Sequence, residues 1–382
     1  MSGHYPIWAY RALDMRAFPI YFYKERQTFE FISTISGKNI KIRFTNIYGE
    51  KDLILKDAFI WANDIKKRLT INNSDTLLIK HGEEVYSDPV AFDIKAKNKI
   101  KIEFVIEDTL CDTACSFYKN DMCEVNHYDL DGNSVTLNTP FLNNNALHNV
   151  MVGFDRVIIE SDDKPLVITA FGDSITHMSR WTAPLCKRLL DKYPNKFVMT
   201  NMGVCGNRVL HDASRLSGNG LWFSKKGIDR FEEDCYNDCF KSDVIFLNEG
   251  INDILHPNIK VAPYSENVEM PKLYEGLKQM IDIAHNHNSY VLLGTLTPFN
   301  GCKKHWTKEL ENLRNKLNEI IRSSNDYDYL LDWDNLVKDK NDNTRLDPDG
   351  GSEDNLHPGV KGGITMANYV DIDLFMKNVR GK

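Results

Sequence analysis

Leu166-Val167-Ile168-Thr169-Ala170-Phe171-Gly172-Asp173-Ser174-Ile175-Thr176 sets an apolar run directly against a polar turn that carries a serine at its tip. A short apolar run closed by glycine reads as a strand buried on both faces, and the residues after the serine read as the start of a helix. The rhythm continues downstream. Strands are predicted at 197–202, 244–248, 290–296 and 329–332, and helices at 188–192, 274–285, 308–323 and from 363 onward. Strands alternating with helices imply right-handed crossovers and a parallel sheet covered on both faces. The fold expected of residues 151–382 is therefore a doubly wound α/β domain, whose chemistry should gather at the carboxyl ends of its strands.

Upstream the pattern differs. Segments 28–34, 39–45, 54–62, 90–94 and 99–106 are short, rich in β-branched and aromatic residues, and separated by Gly, Asn, Asp and Lys. Lys99-Ile100-Lys101-Ile102-Glu103-Phe104 alternates strictly, which places apolar and polar side chains on opposite faces of a sheet. Residues 1–150 are thus expected to form a β-sandwich of jelly-roll-like type, with the Asn- and Leu-rich stretch 133–149 as the link. Two domains also suit 382 residues, given ~150 per domain.

Composition narrows the function classes. The chain is 42% apolar and 26% charged, which suits a globular protein with a real core. A net charge of -7 without a long basic run argues against nucleic acid as a partner. No segment has the ~20 apolar residues of a membrane span, and the first ten residues lack the basic start and apolar run of a secretory signal. The expected setting is the cytoplasm, away from membranes, and the eight cysteines are read as free thiols. Oligomeric state is left open.

A serine hydroxyl is a weak nucleophile until a base takes its proton, and an imidazole base needs a carboxylate to fix its tautomer. Asp354-Asn355-Leu356-His357-Pro358 supplies both from one loop, so Ser174, Asp354 and His357 form a candidate triad. Charge developing on a substrate oxygen must meet preorganised donors. Two loops offer them, Asn201-Met202-Gly203-Val204-Cys205-Gly206-Asn207-Arg208 after the second strand and Asn248-Glu249-Gly250-Ile251-Asn252-Asp253 after the third.

Gly172-Asp173-Ser174, Gly206, Gly250-Ile251-Asn252-Asp253 and Asp354-xx-His357 occur in the order of the four sequence blocks of the SGNH, or GDSL-type, hydrolases, and the chain resembles that family. The resemblance implies a flavodoxin-like catalytic domain and a serine esterase that uses no metal or organic cofactor. It implies Ser174 as nucleophile, His357 as general base and Asp354 as its orienting acid. The oxyanion hole would be the backbone N–H groups of Ser174 and Gly206 with the Asn252 amide. Asn201-x-Gly203-xx-Gly206-Asn207-Arg208, Glu249-Gly250-Ile251-Asn252-Asp253-Ile254 and Thr295-Leu296-Thr297-Pro298-Phe299 resemble the branch that includes xylanase-associated acetyl esterases. Many of these carry an N-terminal β-domain, whose signature Ile40-Lys41-Ile42-Arg43-Phe44-Thr45-Asn46-Ile47-Tyr48-Gly49 resembles. One departure is His177-Met178-Ser179-Arg180-Trp181, shorter than the Gly- and Asp-containing loop that the family places after the nucleophile.

The function expected is removal of acetyl groups from carbohydrate esters, with an oligosaccharide or small-molecule ester as the binding partner. The alternatives are a short-chain acyl esterase or lysophospholipase and, from another class, a carbohydrate-binding protein with a vestigial hydrolase domain. Acyl transfer to a sugar shares the acyl-enzyme with hydrolysis, and sequence does not separate the two. Asp173 and Asp253 read as loop-tying carboxylates, Arg208 as a loop brace, Trp181 and Trp222 as buried rings, and His177, His211 and His256 as surface residues. Cys111-x3-Cys115-x7-Cys123-x3-His127 is the one pattern that suggests zinc, and buried thiols are the preferred reading of it.

Overall fold

Alternation in Lys99–Ile106 has its expected consequence: Ile100, Ile102 and Phe104 are buried, and Lys99 faces solvent. In the computed structural model, which describes residues 2–137, 148–214, 216, 220–302 and 305–380, this strand pairs antiparallel with Glu25–Ile32 on one side and Leu53–Ala62 on the other. Cys123–Tyr128, Ile65–Arg68 and Leu77–Ile79 complete that sheet. A second antiparallel sheet runs in the order Gly3–Ala9, Phe154–Ser161, Lys38–Thr45, Glu84–Tyr86. The two meet through aromatic rings. Trp8, Phe44 and Phe154 of the second sheet lie 4.7–6.4 Å from Phe29 and Phe104 of the first, mostly edge to face. Each such pair adds about 1 kcal/mol beyond the area it buries.

The chain divides into two compact units, Met1–Leu166 with Leu189–Thr200 and Val167–Arg188 with Asn201–Lys382. The change of architecture therefore comes at about residue 166 and not at 150, because Phe154–Ser161 pairs with both Gly3–Ala9 and Lys38–Thr45. The strand itself, Phe154-Asp155-Arg156-Val157-Ile158-Ile159-Glu160-Ser161, does not name its partners: half of its residues are apolar, and its place is decided by segments far away in the chain. Residues 90–94 do not form the predicted strand. Val90 and Ile94 make isolated bridges, and the poor strand former Asp93 stands exposed between them. Most of the expected link, residues 138–147, lies outside the described residues.

The second architecture begins with β1 (Leu166–Gly172) and continues through β2 (Phe197–Gly203), β3 (Val244–Asn248), β4 (Tyr290–Gly294) and β5 (Tyr329–Leu331). Their order across the sheet is β2-β1-β3-β4-β5, with parallel pairing at β1–β3, β3–β4 and β4–β5. The order reverses between β1 and β3, so the crevice that parallel sheets use for ligands lies beyond the ends of these two strands. The helices are α1 (Ser174–His177), α2 (Thr182–Lys192), α3 (Gly227–Cys235), α4 (Ile251–Leu255), α5 (Met270–Asn286), α6 (Lys308–Ser323), α7 (Trp333–Val337), α8 (Val360–Tyr369) and α9 (Ile372–Arg380). Among the described residues, no helix is long and apolar enough to cross a membrane.

One side chain of α3 holds the strand ends. Arg230 has no exposed surface, and its guanidinium donates to Gly172 O at the end of β1 (3.0 Å), to Met202 O near the end of β2 (2.7 Å), to Asn207 Oδ1 (2.7 Å) and to Asp234 Oδ2 (2.7 Å). Its face stacks on Phe171 at 3.9 Å. Glu249 lies 3.9 Å away, fully buried, and neither of its oxygens has a hydrogen-bond donor among the described residues. Burial, reinforced by the nearby carboxylates and only partly offset by Arg230, pushes the Glu249 carboxyl up to about 8. Burial likewise raises Asp173 and Asp253 to about 6.

A raised folded-state pKa means that the native protein keeps protons which the unfolded chain has released. The associated stability is complete below the usual carboxyl range near pH 4 and is lost as pH climbs through 6 and 8. The melting temperature should therefore fall between pH 5 and pH 8.5, and Glu249→Gln, which cannot ionise, should flatten that fall by roughly 5 °C in calorimetry. Equal slopes for variant and parent would show that Glu249 already ionises at neutral pH.

Candidate active site

Ser174 sits where β1 ends and α1 begins. Asp173 caps the helix, its carboxylate accepting from Ile175 N at 2.9 Å, as the loop-tying reading expects. As the first residue of the helix, Ser174 has a backbone N–H with no carbonyl four residues back to bond. Its Oγ is nearly buried and lies 2.7 Å from His357 Nε2. The other ring nitrogen, Nδ1, lies 2.7 Å from Asp354 Oδ2. The three residues predicted as a triad are thus brought together from opposite ends of the unit.

The carboxylate fixes the chemistry of the ring. Burial pushes the Asp354 carboxyl up, but hydrogen bonds and charge from His357, with the backbone N–H groups of His357 and Leu356, outweigh it and hold the group well below the usual range. An ionised carboxylate can only accept, so Nδ1 carries the proton and Nε2 is left to accept from Ser174. The loop that presents the pair is tied locally. Asp354 Oδ1 accepts from Leu356 N (2.8 Å) and His357 N (2.9 Å), and the Ser352 hydroxyl lies 2.7 Å from both Asp354 Oδ1 and His357 O. Arg180, in the segment that departs from the family pattern, donates to Pro358 O at 2.9 Å.

The Gly206 loop is a tight turn. Asn207 N donates to Val204 O at 3.2 Å, which uses the N–H of Asn207 and not that of Gly206. Gly206 has φ +71°, and a Cβ there would stand 2.1 Å from the Phe223 ring, so only glycine fits. From the next loop, Asn252 Nδ2 donates to Asn207 O at 2.9 Å, which occupies one of its two N–H groups. Asp253 accepts from Val209 N (2.8 Å) and Leu210 N (3.0 Å), and so ties the two loops together.

Other sequence readings are settled by burial. Arg208 is 2% exposed and pairs with Glu266 at 2.7 Å, a brace as expected. Trp181 and Trp222 are buried. His177 and His256, read as surface residues, are buried instead. The backbone of α1 presses so closely on β2 that a Cβ at Gly203 would lie 2.3 Å from His177 N, and His256 packs 5.1 Å from the Phe223 ring. Burial lowers His177 to about 4, and burial with the Arg208 charge lowers His256 to about 3, so both rings are neutral. Cys111, Cys115 and Cys123 are buried thiols raised by desolvation, and His127 Nε2 lies 2.9 Å from Val150 O. These residues form no metal-ligand group among the described residues. Sequence reasoning missed Arg230, Ser352 and Arg180; only Ser352, two residues before Asp354, carries a local signal.

Ser174 Oγ, the His357 ring and the Asp354 carboxylate thus form one hydrogen-bonded chain. Solved structures similar to this chain include a variant of an acetyl xylan esterase from Geobacillus stearothermophilus (17% identity, 57% of this chain and 95% of that one, TM-score 0.43). Others are a GDSL-like lipase from Bacteroides thetaiotaomicron (16%, 56% and 88%, 0.38) and a member of the lipolytic protein G-D-S-L family from Veillonella parvula (19%, 53% and 94%, 0.35). No curated protein matches the chain. The model of the GDSL-like lipase/acylhydrolase family matches residues 170–363, just over half of the chain and the stretch that holds every site residue described above. The chain belongs to the GDSL-like lipase/acylhydrolase family.

Proposed function

We propose that the protein is a carboxylester hydrolase in which Ser174 attacks the ester carbonyl while His357 takes its proton. The observation that carries this reading is the unbroken relay from Ser174 Oγ through the His357 ring to Asp354, with both contacts at 2.7 Å. In the tetrahedral intermediate the former carbonyl oxygen bears the negative charge. The Ser174 and Gly206 N–H groups and the second N–H of Asn252 are its donors. Collapse expels the alcohol, which takes the proton from His357 Nε2. Water then attacks the acyl carbon and gives a proton to the same nitrogen; collapse breaks the bond to Ser174 Oγ, which takes that proton back from Nε2, and the acid is released. Asp354 stabilises the imidazolium at each stage without itself becoming protonated. Every proton and electron pair in this cycle moves between substrate, water and these side chains.

The acyl group we assign is acetyl and the alcohol a carbohydrate, so that the partner is an acetylated oligosaccharide. Support comes from the resemblance of the Asn201–Arg208, Glu249–Ile254 and Thr295–Phe299 segments to the acetyl esterase branch. The N-terminal unit, which we read as jelly-roll-like, fits the same branch. Hydrolysis of longer acyl chains is the competing reading within this chemistry.

Ser174→Ala should reduce turnover of p-nitrophenyl acetate to background with the fold intact by circular dichroism, and Asp354→Asn should lower kcat by about 10⁴, because the wrong tautomer then faces the serine. Substantial turnover in Ser174→Ala protein would remove Ser174 from the mechanism and point to a binding role. A nitrophenyl ester series is expected to peak at acetate, and acetylated xylo-oligosaccharides should release acetate in step with loss of the acetylated species. A peak at eight carbons or more would overturn the acetyl assignment and leave the serine chemistry standing.

A further inference from the structure

Arg230 touches neither Ser174 nor the base, yet its bonds meet the segments that carry the Ser174 and Gly206 donors and, through Asn207, the residue that holds the Asn252 amide. We propose that Arg230, acting through Asn207, is a positioning residue that sets the spacing of the oxyanion hole. The inference rests on the reading of Ser174 as nucleophile.

The bonding pattern is specific. A guanidinium has five N–H donors in one plane, and four of Arg230's are engaged: one by a carboxylate, one by a side-chain amide oxygen and two by main-chain carbonyls. A charge that only had to be neutralised would need Asp234 alone. The two carbonyls are those where β1 and β2 give way to functional loops. Gly172 O, two residues before Ser174, accepts Arg230 Nη2 at 3.0 Å and Val204 N at 2.9 Å, so the entry to α1 and the start of the Gly206 turn share one oxygen. Met202 O, on the strand that leads into that turn, accepts Arg230 Nη1 at 2.7 Å.

Asn207 extends the reach of the guanidinium. Its Oδ1 receives Arg230 Nε at 2.7 Å, and its Nδ2 donates to Phe223 O (2.7 Å) and Lys225 O (2.8 Å). Phe223 is the ring that lies against Gly206, and the backbone oxygen of Asn207 is the acceptor for the Asn252 amide. One plane thus reaches the Ser174 N–H through the Gly172–Asp173 peptide, the Gly206 N–H through the adjoining Asn207, and the Asn252 amide through Asn207 O. The Phe171 ring at 3.9 Å and the absence of any exposed surface leave that plane no freedom to rotate. Lysine keeps the charge but offers three donors from a point, without the fork. Oxyanion donors act over tenths of an ångström, and a displacement of about 1 Å in such a site costs on the order of 10²-fold in rate.

The test compares Arg230→Lys and Asn207→Ala with the parent, each assayed on p-nitrophenyl acetate well below its own melting temperature. Each variant should lower kcat by about 10- to 100-fold with KM within about threefold, because ground-state binding does not use the oxyanion donors. The rate at which an organophosphate labels Ser174 should fall in proportion, since that reaction also builds charge on an oxygen held by the same donors. The double variant should be little worse than the worse single one, because the two residues act as a unit. The proposal is overturned if either variant that folds keeps kcat within about threefold, or if activity is lost only in proportion to the unfolded fraction. Asn207→Ala leaves the Arg230–Asp234 pair intact and serves if Arg230→Lys does not fold. Ser174→Ala separates the two levels: if it retains turnover, both readings fall; if it is inactive while Arg230→Lys keeps kcat, only the role of Arg230 does.

Discussion

A guanidinium with no exposed surface is a stringent constraint, because a buried charge left short of partners destabilises a fold by several kcal/mol. Arg230 meets it by drawing four acceptors onto one plane, and those acceptors are scattered along the chain: Gly172, Met202, Asn207 and Asp234. The fold must bring the ends of β1 and β2 and the loop beyond β2 to within hydrogen-bond reach of one helix. That requirement fixes the register of the sheet at its carboxyl edge. It also explains why this edge tolerates three further buried carboxyl groups, Asp173, Glu249 and Asp253, whose raised pKa values mark how little water reaches them. Asp173 and Asp253 are held by backbone N–H groups, whereas Glu249 has the guanidinium at 3.9 Å as its nearest compensation and is the most perturbed of the three.

How much of this was legible in the sequence follows from the range of each interaction. The parallel strands were legible because a strand covered on both faces must be apolar throughout; 244–248 and the helix at 308–323 fall where the sequence puts them. The candidate site was legible because the chemistry proposed for it admits few residue types, and those residues occur in a fixed order along the chain. Phe154–Ser161 was assigned to the wrong half because its sequence does not reveal its pairing partners, which lie more than a hundred residues away and alone decide the matter. His177 and His256 were misplaced for the converse reason. A polar residue in a polar segment reads as exposed, and the neighbours that bury it are invisible until the fold exists.

Arg230 was out of reach on the same grounds. Along α3 it stands among Asp229, Glu232 and Glu233, and by composition it resembles any charged residue on a solvated helix. What distinguishes it is the set of carbonyls it meets, and a carbonyl has no sequence identity. Asn207 could be quoted as part of a motif, but its function as the junction between Arg230 and Asn252 depends on atoms contributed by three separate segments.

The site divides its parts between rigid and locally braced structure in a way that follows from what each must do. In the proposed mechanism the nucleophile and the charge-stabilising donors have to hold their positions while charge develops, and Ser174, Gly206 and Asn252 stand in turns and helix starts just beyond strand ends, tied by buried bonds. In the same proposed cycle the base has to exchange protons with an arriving water and a departing alcohol, so it needs access. His357 and Asp354 accordingly lie on a loop, with side chains 12% and 48% exposed, and are braced by short-range contacts to Ser352 and their own backbone. Such bracing survives next to water because the acceptor is an ionised carboxylate, and charge-assisted hydrogen bonds are about twice as strong as neutral ones. The donors proposed for the oxyanion would lose most of their effect if equally exposed, since donors that also bond to bulk water contribute little to a transition state. Burying the guanidinium instead of the base is therefore what lets one edge of the sheet serve both requirements.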